Sequence, residues 1–268
     1  HYERFKKNCE DMPQTDAMDA DPYIKEKFYK SASEFVRENK IEKISATMIS
    51  KFSYACTGVP MEKITALDFL NVCQGLVVPI HRFRFDQEAM EQRFAGHLTY
   101  DTVSQITDAG GKYLLKTESG QTYEAEYVVL ATPALITKKL LDFKEPLRQT
   151  CKLYTFHVRA KLKDKYRRYQ MNLFPFESEI IFTAIQDDKT YLIYTREEKA
   201  DLHQVCESYE LINMVGWEKA MYVYGDAYVE QKFSDRLYIA GDHNGLGLEP
   251  TAISGVYAAR QILKSCSR

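Results

Sequence analysis

The residues best placed to do chemistry stand near the C-terminus. Gly241, Asp242 and His243 follow the short apolar run Leu237 to Ala240, and Gly245 and Gly247 follow them in turn. The run reads as a buried strand. The glycines allow positive φ, or let the backbone approach a ligand closely. Pro250 suits the first position of a helix, where its missing N–H costs nothing. Ala252, Ile253, Val256, Ala259, Ile262 and Leu263 then recur at helical spacing. A helix start carries unpaired N–H groups and partial positive charge, so this unit suits an anionic or electron-rich ligand edge. His243 is placed either to tune or protonate such a ligand or to serve as an ordinary loop residue.

Other chemistries find little support. The histidines at 1, 81, 97, 157, 203 and 243 show no metal-ligand spacing, and Cys9, Cys56, Cys73, Cys151, Cys206 and Cys266 include no C-x-x-C pair. Reduced thiols in a cytoplasmic protein are expected. No G-x-S-x-G or placed Cys–His pair points to a hydrolase. With 36 basic and 38 acidic residues in 268, the net charge of −2 argues against nucleic-acid binding. The basic run Lys161 to Arg168 reads as a solvated face, or else as a contact for an anionic partner, a membrane surface or a propionate-bearing substrate. No apolar run is long enough to span a bilayer, and no signal peptide is visible.

The elements that must position the glycine turn follow from period and punctuation. Residues 1–97 read as mainly helical: Ser31 to Lys40, Ser45 to Cys56 closed by Gly58, Ala66 to Gln74 capped by Thr65, and a short helix from Asp86 to Phe94. The period then changes. Thr102 to Thr107, Lys112 to Thr117 and Thr122 to Ala131 read as a β-meander, ending at Thr132-Pro133 before a helix over Ala134 to Leu141. Leu153 to Leu162, Glu179 to Gln186 and Thr190 to Thr195 read as strands, with Asp187 to Lys189 as a hairpin turn. Leu202 to Val215, apolar at 202, 205, 209, 212 and 215, reads as an amphipathic helix. Trp217 and Tyr224 are either cavity walls or plain packing.

The stretch Ala240-Gly241-Asp242, then Glu249-Pro250-Thr251-Ala252-Ile253-Ser254-Gly255-Val256-Tyr257-Ala258-Ala259, resembles the C-terminal flavin motif of the FAD-dependent amine oxidase, protoporphyrinogen oxidase and phytoene desaturase superfamily. It departs from that motif at Pro250, where the family has glycine, and at the intervening Thr251. The resemblance implies that Asp242, after Gly241, meets the ribityl and phosphate part of FAD. It also implies that the helix start around Glu249, Thr251 and Ala252 faces the pyrimidine end of the isoalloxazine. A second landmark is similar to the family's strand and A-x-P corner: Val103, Glu126 and Val128-Val129-Leu130-Ala131-Thr132-Pro133. It implies an adenine-holding role for the Val103 backbone and places Ala131, Thr132 and Pro133 near the cofactor.

The implied fold is α/β, a glutathione-reductase-like FAD-binding domain joined to an antiparallel sheet and a helical substrate domain. Residues 98–141 and 232–268 would serve the first, and 1–97 and 142–231 the second. The implied reaction is hydride transfer from a C–N or C–C bond to FAD, with an amine, a porphyrinogen or a polyene as substrate. No residue is assigned a catalytic role, because the flavin itself performs the redox step. The family's opening strand and G-x-G-x-x-G turn, which hold the ADP half, do not occur in this sequence. The βαβ unit was removed or left out, or comes from a second chain, or FAD has been lost. The first two are favoured, since a strand like Tyr127 to Ala131 expects parallel neighbours. The alternative function is a subunit of a heteromeric flavoenzyme or a non-catalytic binding protein.

Overall fold

The computed structural model describes residues 1–79 and 84–267, which leaves His81 outside the described residues. The chain opens as short helices: α1 (Tyr2–Asn8), α2 (Gln14–Asp19), α3 (Pro22–Tyr29), α4 (Ala32–Glu38), α5 (Glu42–Ile44), α6 (Ser50–Thr57), α7 (Ala66–Gln74) and α8 (Gln87–Arg93). Their ends have local causes. Ser31 and Glu34 form a reciprocal capping box on α4. Thr65 Oγ1 accepts from Asp68 N at 3.0 Å to start α7. Gly58, at φ 69°, closes α6 in the left-handed region. Ser45–Ile49, between α5 and α6, winds as a π-helix, so the helix expected over 45–56 is present with a wider first turn.

Two sheets divide the expected meander. β1 (Val103–Asp108), β2 (Tyr113–Thr117) and β3 (Thr122–Ala125) pair antiparallel in that order. The expected third strand over 122–131 is broken by a bend at Glu126. Beyond the bend, β4 (Val128–Leu130) leaves the meander and pairs in parallel with β10 (Leu237–Ile239), Val129 opposite Tyr238. Helix α9 (Ala134–Leu141) follows β4, and Leu140 and Leu141 pack with Tyr113, Val128, Leu130 and Leu237 between the two sheets.

The third sheet has the order β6-β7-β8-β5-β9: β5 (Gln149–Leu162), β6 (Met171–Leu173) after the short α10 (Asp164–Arg167), β7 (Ile180–Ile185), β8 (Tyr191–Thr195) and β9 (Cys206–Tyr224). Here the structure corrects the sequence reading: residues 202–215 are not an amphipathic helix. Only Leu202–Gln204 turn, as a 3-10 helix, and β9 then runs antiparallel along β5 from Cys206 to Tyr224. Bulges opposite 157/158 and 161/162 break the strand's period of two, which leaves an accidental helical spacing in the sequence. Pairing along the full length of β5 then overrides any local preference.

One face of this sheet buries Tyr154, Phe156, Val158, Ile180, Ile193 and Leu202. A second core joins the helices to the sheet's other end, with Val36, Ile64, Phe69, Val72, Cys151 and Val223 packed around Leu246. The long α11 (Leu248–Cys266) closes the chain and packs Tyr257 and Ala258 against Tyr238. No helix among the described residues is long and apolar enough to cross a membrane.

Candidate functional site

The loop between β10 and α11 is fixed from several sides. Gly241 leaves the strand at φ 132°, a conformation that L side chains rarely adopt. Its N–H donates to Ser254 Oγ at 2.8 Å, and that hydroxyl donates to Thr251 O at 2.6 Å, so the strand end is tied to the first turns of the helix. Helix α11 begins at Leu248, with Pro250 in its first turn rather than at the first position. Pro250 is harmless there because N–H groups of the first turn have no intrahelical partner anyway. Gly247, at φ 105°, precedes the helix, and no side chain caps it.

The loop interior is polar and paired. Asn244 clasps the backbone of Val229, accepting from its N at 2.7 Å and donating to its O at 2.7 Å. Asn71 Nδ2 donates to Leu246 O at 2.9 Å, and Leu246 N reaches Asp68 Oδ1 at 3.4 Å. Both partners come from α7. Leu246 itself is buried, which stabilises the loop by roughly 1.5–3 kcal/mol. His243 is buried, and its Nε2 lies 3.1 Å from Thr137 Oγ1. Burial lowers its pKa below the ordinary 6.5, against the opposing pull of Asp242, so the ring is neutral at neutral pH.

A cleft of about 400 Å³ opens where α11 begins, a size suited to a small-molecule ring system. Asp242, Gly245, Gly247, Leu248 and Thr251 line one side, and Asn71, Cys56, Met221 and Tyr222 line the other. The uncapped start of α11 therefore faces open space rather than a plug of side chains. Its amides and the positive end of its dipole suit a flat ring's electron-rich edge. A whole dinucleotide extends beyond such a cleft.

The predicted residues divide into groups. Asp242 and Thr251 line the cleft, and Gly241 sets the turn beneath it. Ala131, Thr132 and Pro133 do not line the cleft; Thr132 Oγ1 pairs with Thr137 Oγ1 at 2.8 Å, and Thr137 reaches the buried His243 beside Asp242. Glu249 turns to Lys6 at 2.9 Å, and Ala252 is exposed outside the cleft wall. Val103 begins β1, in a different sheet, opposite Thr117. Trp217 lies exposed on β9 and forms no wall of the cleft.

Tyr222, Asp68 and Asn71 are the residues that sequence reading missed. Tyr222 lines the cleft, and its hydroxyl accepts from Leu135 N at 3.2 Å, tying β9 to the start of α9. For Asp68 the available signal was the cap Thr65-x-x-Asp68, whose acid also reaches toward the distant loop.

No protein-family model matches the chain, and no curated protein does. Solved structures do. A putrescine oxidase variant from a redesign of cofactor binding superposes with TM-score 0.62 at 13% identity, covering 91% of this chain and 70% of that one. Wild-type putrescine oxidase bound to putrescine superposes with TM-score 0.59 at 12% identity, covering 93% and 70%. The chain thus shares a mixed α/β fold with part of these oxidases.

Proposed function

We propose that this chain is the ring-binding portion of a flavin-dependent oxidoreductase of the amine oxidase type. FAD would supply the redox chemistry, accepting a hydride from a C–N or C–C bond of a small substrate. Residues 98–141 and 232–268 would hold the cofactor, and 1–97 and 142–231 would shape the substrate side. The observation that carries this reading is the shared lining of one cleft by Asp242, Thr251 and the uncapped start of α11.

In this reading the backbone of 247–251 would face the ring, where the helix dipole favours negative charge. Asp242 would accept hydrogen bonds from the cofactor's hydroxyls. Neutral His243, held by Thr137, fixes the loop without adding a charge beside it. Tyr222 and Met221 form the opposite wall.

A second chain, or a further segment, would complete the dinucleotide half. This rests on the parallel pair β4–β10, which has two strands among the described residues and leaves Val129 40% exposed. Parallel sheets are ordinarily covered on both faces.

Titration with lumiflavin, followed by fluorescence quenching, tests the reading. The ring alone should bind about as well as FAD, because the adenosine half finds few contacts, and Asp242→Leu should weaken FAD more than lumiflavin. Absence of lumiflavin binding would sink the flavin assignment. Tight stoichiometric FAD binding would overturn the need for a second segment.

A further inference from the structure

β9 is the outer strand of its sheet, and residues 207–219 are all exposed. The stretch is nevertheless apolar: Leu211 is 51% exposed, Ile212 44%, Met214 36%, Val215 40% and Trp217 45%. A long edge whose backbone faces no second strand is a template for pairing; here Met214 N donates to its neighbour Asn213 Oδ1 at 2.8 Å, a local contact that strand pairing would replace. Solvated edges are ordinarily blunted by charge or proline, and this one carries neither between Leu211 and Trp217.

The pattern of charge along the strand identifies the occupant. Glu210 stands opposite Arg159 of β5 and pairs with it, so it shares a face with the alternate residues His157, Thr155 and Leu153. Asn213, Val215 and Trp217 stand opposite those three and share that face. Glu218 lies on the other face, where it accepts from Tyr154 Oη at 2.6 Å, so Lys219 returns to the face of Glu210. Ile212 is the residue bulged out opposite 157/158. With it discounted, Glu210 and Lys219 are equally far from Val215.

From this geometry we infer that β9 pairs antiparallel with β9 of a second copy of this chain, about a two-fold axis at Val215. An isologous contact must be self-complementary, and this register is. Glu210 meets Lys219 of the other copy, twice by symmetry. Asn213 meets Trp217, and Met214 lies over Gly216, which has no side chain because a Cβ there would sit 2.8 Å from the Tyr154 ring. Lys219 has no ion-pair partner among the described residues, whereas the register supplies one. The bulge at Ile212 is what brings like faces into register, since a strand without it would set Glu210 against the wrong face.

Sedimentation velocity over a dilution series tests this, independently of any flavin. The chain should sediment as a dimer, and the emission of Trp217, the single tryptophan, should shift red on dilution as the pair separates. Glu210→Lys and Lys219→Glu should each raise the dimer dissociation constant by about tenfold or more, because like charges then face one another. The double reversal should restore it. These exposed substitutions should leave the circular dichroism unchanged. A monomer at every concentration would overturn the proposal, as would a dimer indifferent to both single reversals, or a double variant no tighter than the singles.

Discussion

Arg148 Nη1 donates to Asp68 Oδ2 at 2.8 Å, and both side chains are almost wholly buried. This contact joins the residue before β5 to α7 beneath the loop that carries Leu246. Asp68 also accepts from Thr65 Oγ1 at 3.0 Å. Arg148 lies 5.4 Å over the Phe28 ring, and its Nη2 is buried without a hydrogen-bond partner. One carboxylate thus serves a helix cap, a buried cation and the site loop together.

Removing one member of that pair strands the other in the core. Asp68→Ala and Arg148→Met should each lower unfolding free energy by about 3–5 kcal/mol, read from urea denaturation. The double variant Asp68→Leu with Arg148→Met should cost clearly less than the sum, because no uncompensated charge remains. Simple additivity would show that the two groups do not act as a pair.

The Ser254 hydroxyl links the end of β10 to α11. Ser254→Ala should destabilise by about 1–3 kcal/mol, since the Gly241 N–H loses its acceptor. Ser254→Thr keeps the oxygen and should recover part of that loss. A thermal melt of the two variants decides the matter.

His243 makes stability depend on pH. Its folded-state pKa lies below the unfolded 6.5, so the unfolded chain binds the extra proton first as pH falls. The contribution is fully present above about 6.5 and is lost as pH drops through 6.5 toward the lower folded value. His243→Gln should flatten this part of the stability profile, measured by denaturation at a series of pH values. An unchanged acid limb would disprove the assignment.

Gly245 has no room for a side chain. A Cβ there would sit 2.9 Å from Pro250 Cβ, part of a rigid ring. Gly245→Ala should therefore cost about 1–3 kcal/mol by overpacking and should weaken lumiflavin binding by displacing the start of α11. Wild-type stability in this variant would mean that the loop yields more readily than its hydrogen bonds imply.

Tyr222→Phe removes the acceptor for Leu135 N while preserving the ring. The expected loss is about 1 kcal/mol of stability, with lumiflavin binding retained because the apolar wall survives. Loss of binding with no loss of stability would instead place the hydroxyl on the ligand.

The sequence by itself determined whatever depends on neighbours along the chain. Ser31 and Thr65 announced their helices, Gly58 ended one, Asp187 to Lys189 turned a hairpin, and 237–262 read as strand, turn and helix because each signal acts over a few residues. The same locality misplaced the start of α11 by two residues, since Pro250 is tolerated throughout the first turn. Tertiary structure alone decided that 206–224 is a strand, that 122–131 splits between two sheets, and that Tyr222, Asp68 and Asn71 stand at the site. The physical reason is that these outcomes rest on pairing and burial between residues far apart in the chain. The energy of such contacts depends on which surfaces meet, and local spacing carries no record of that choice.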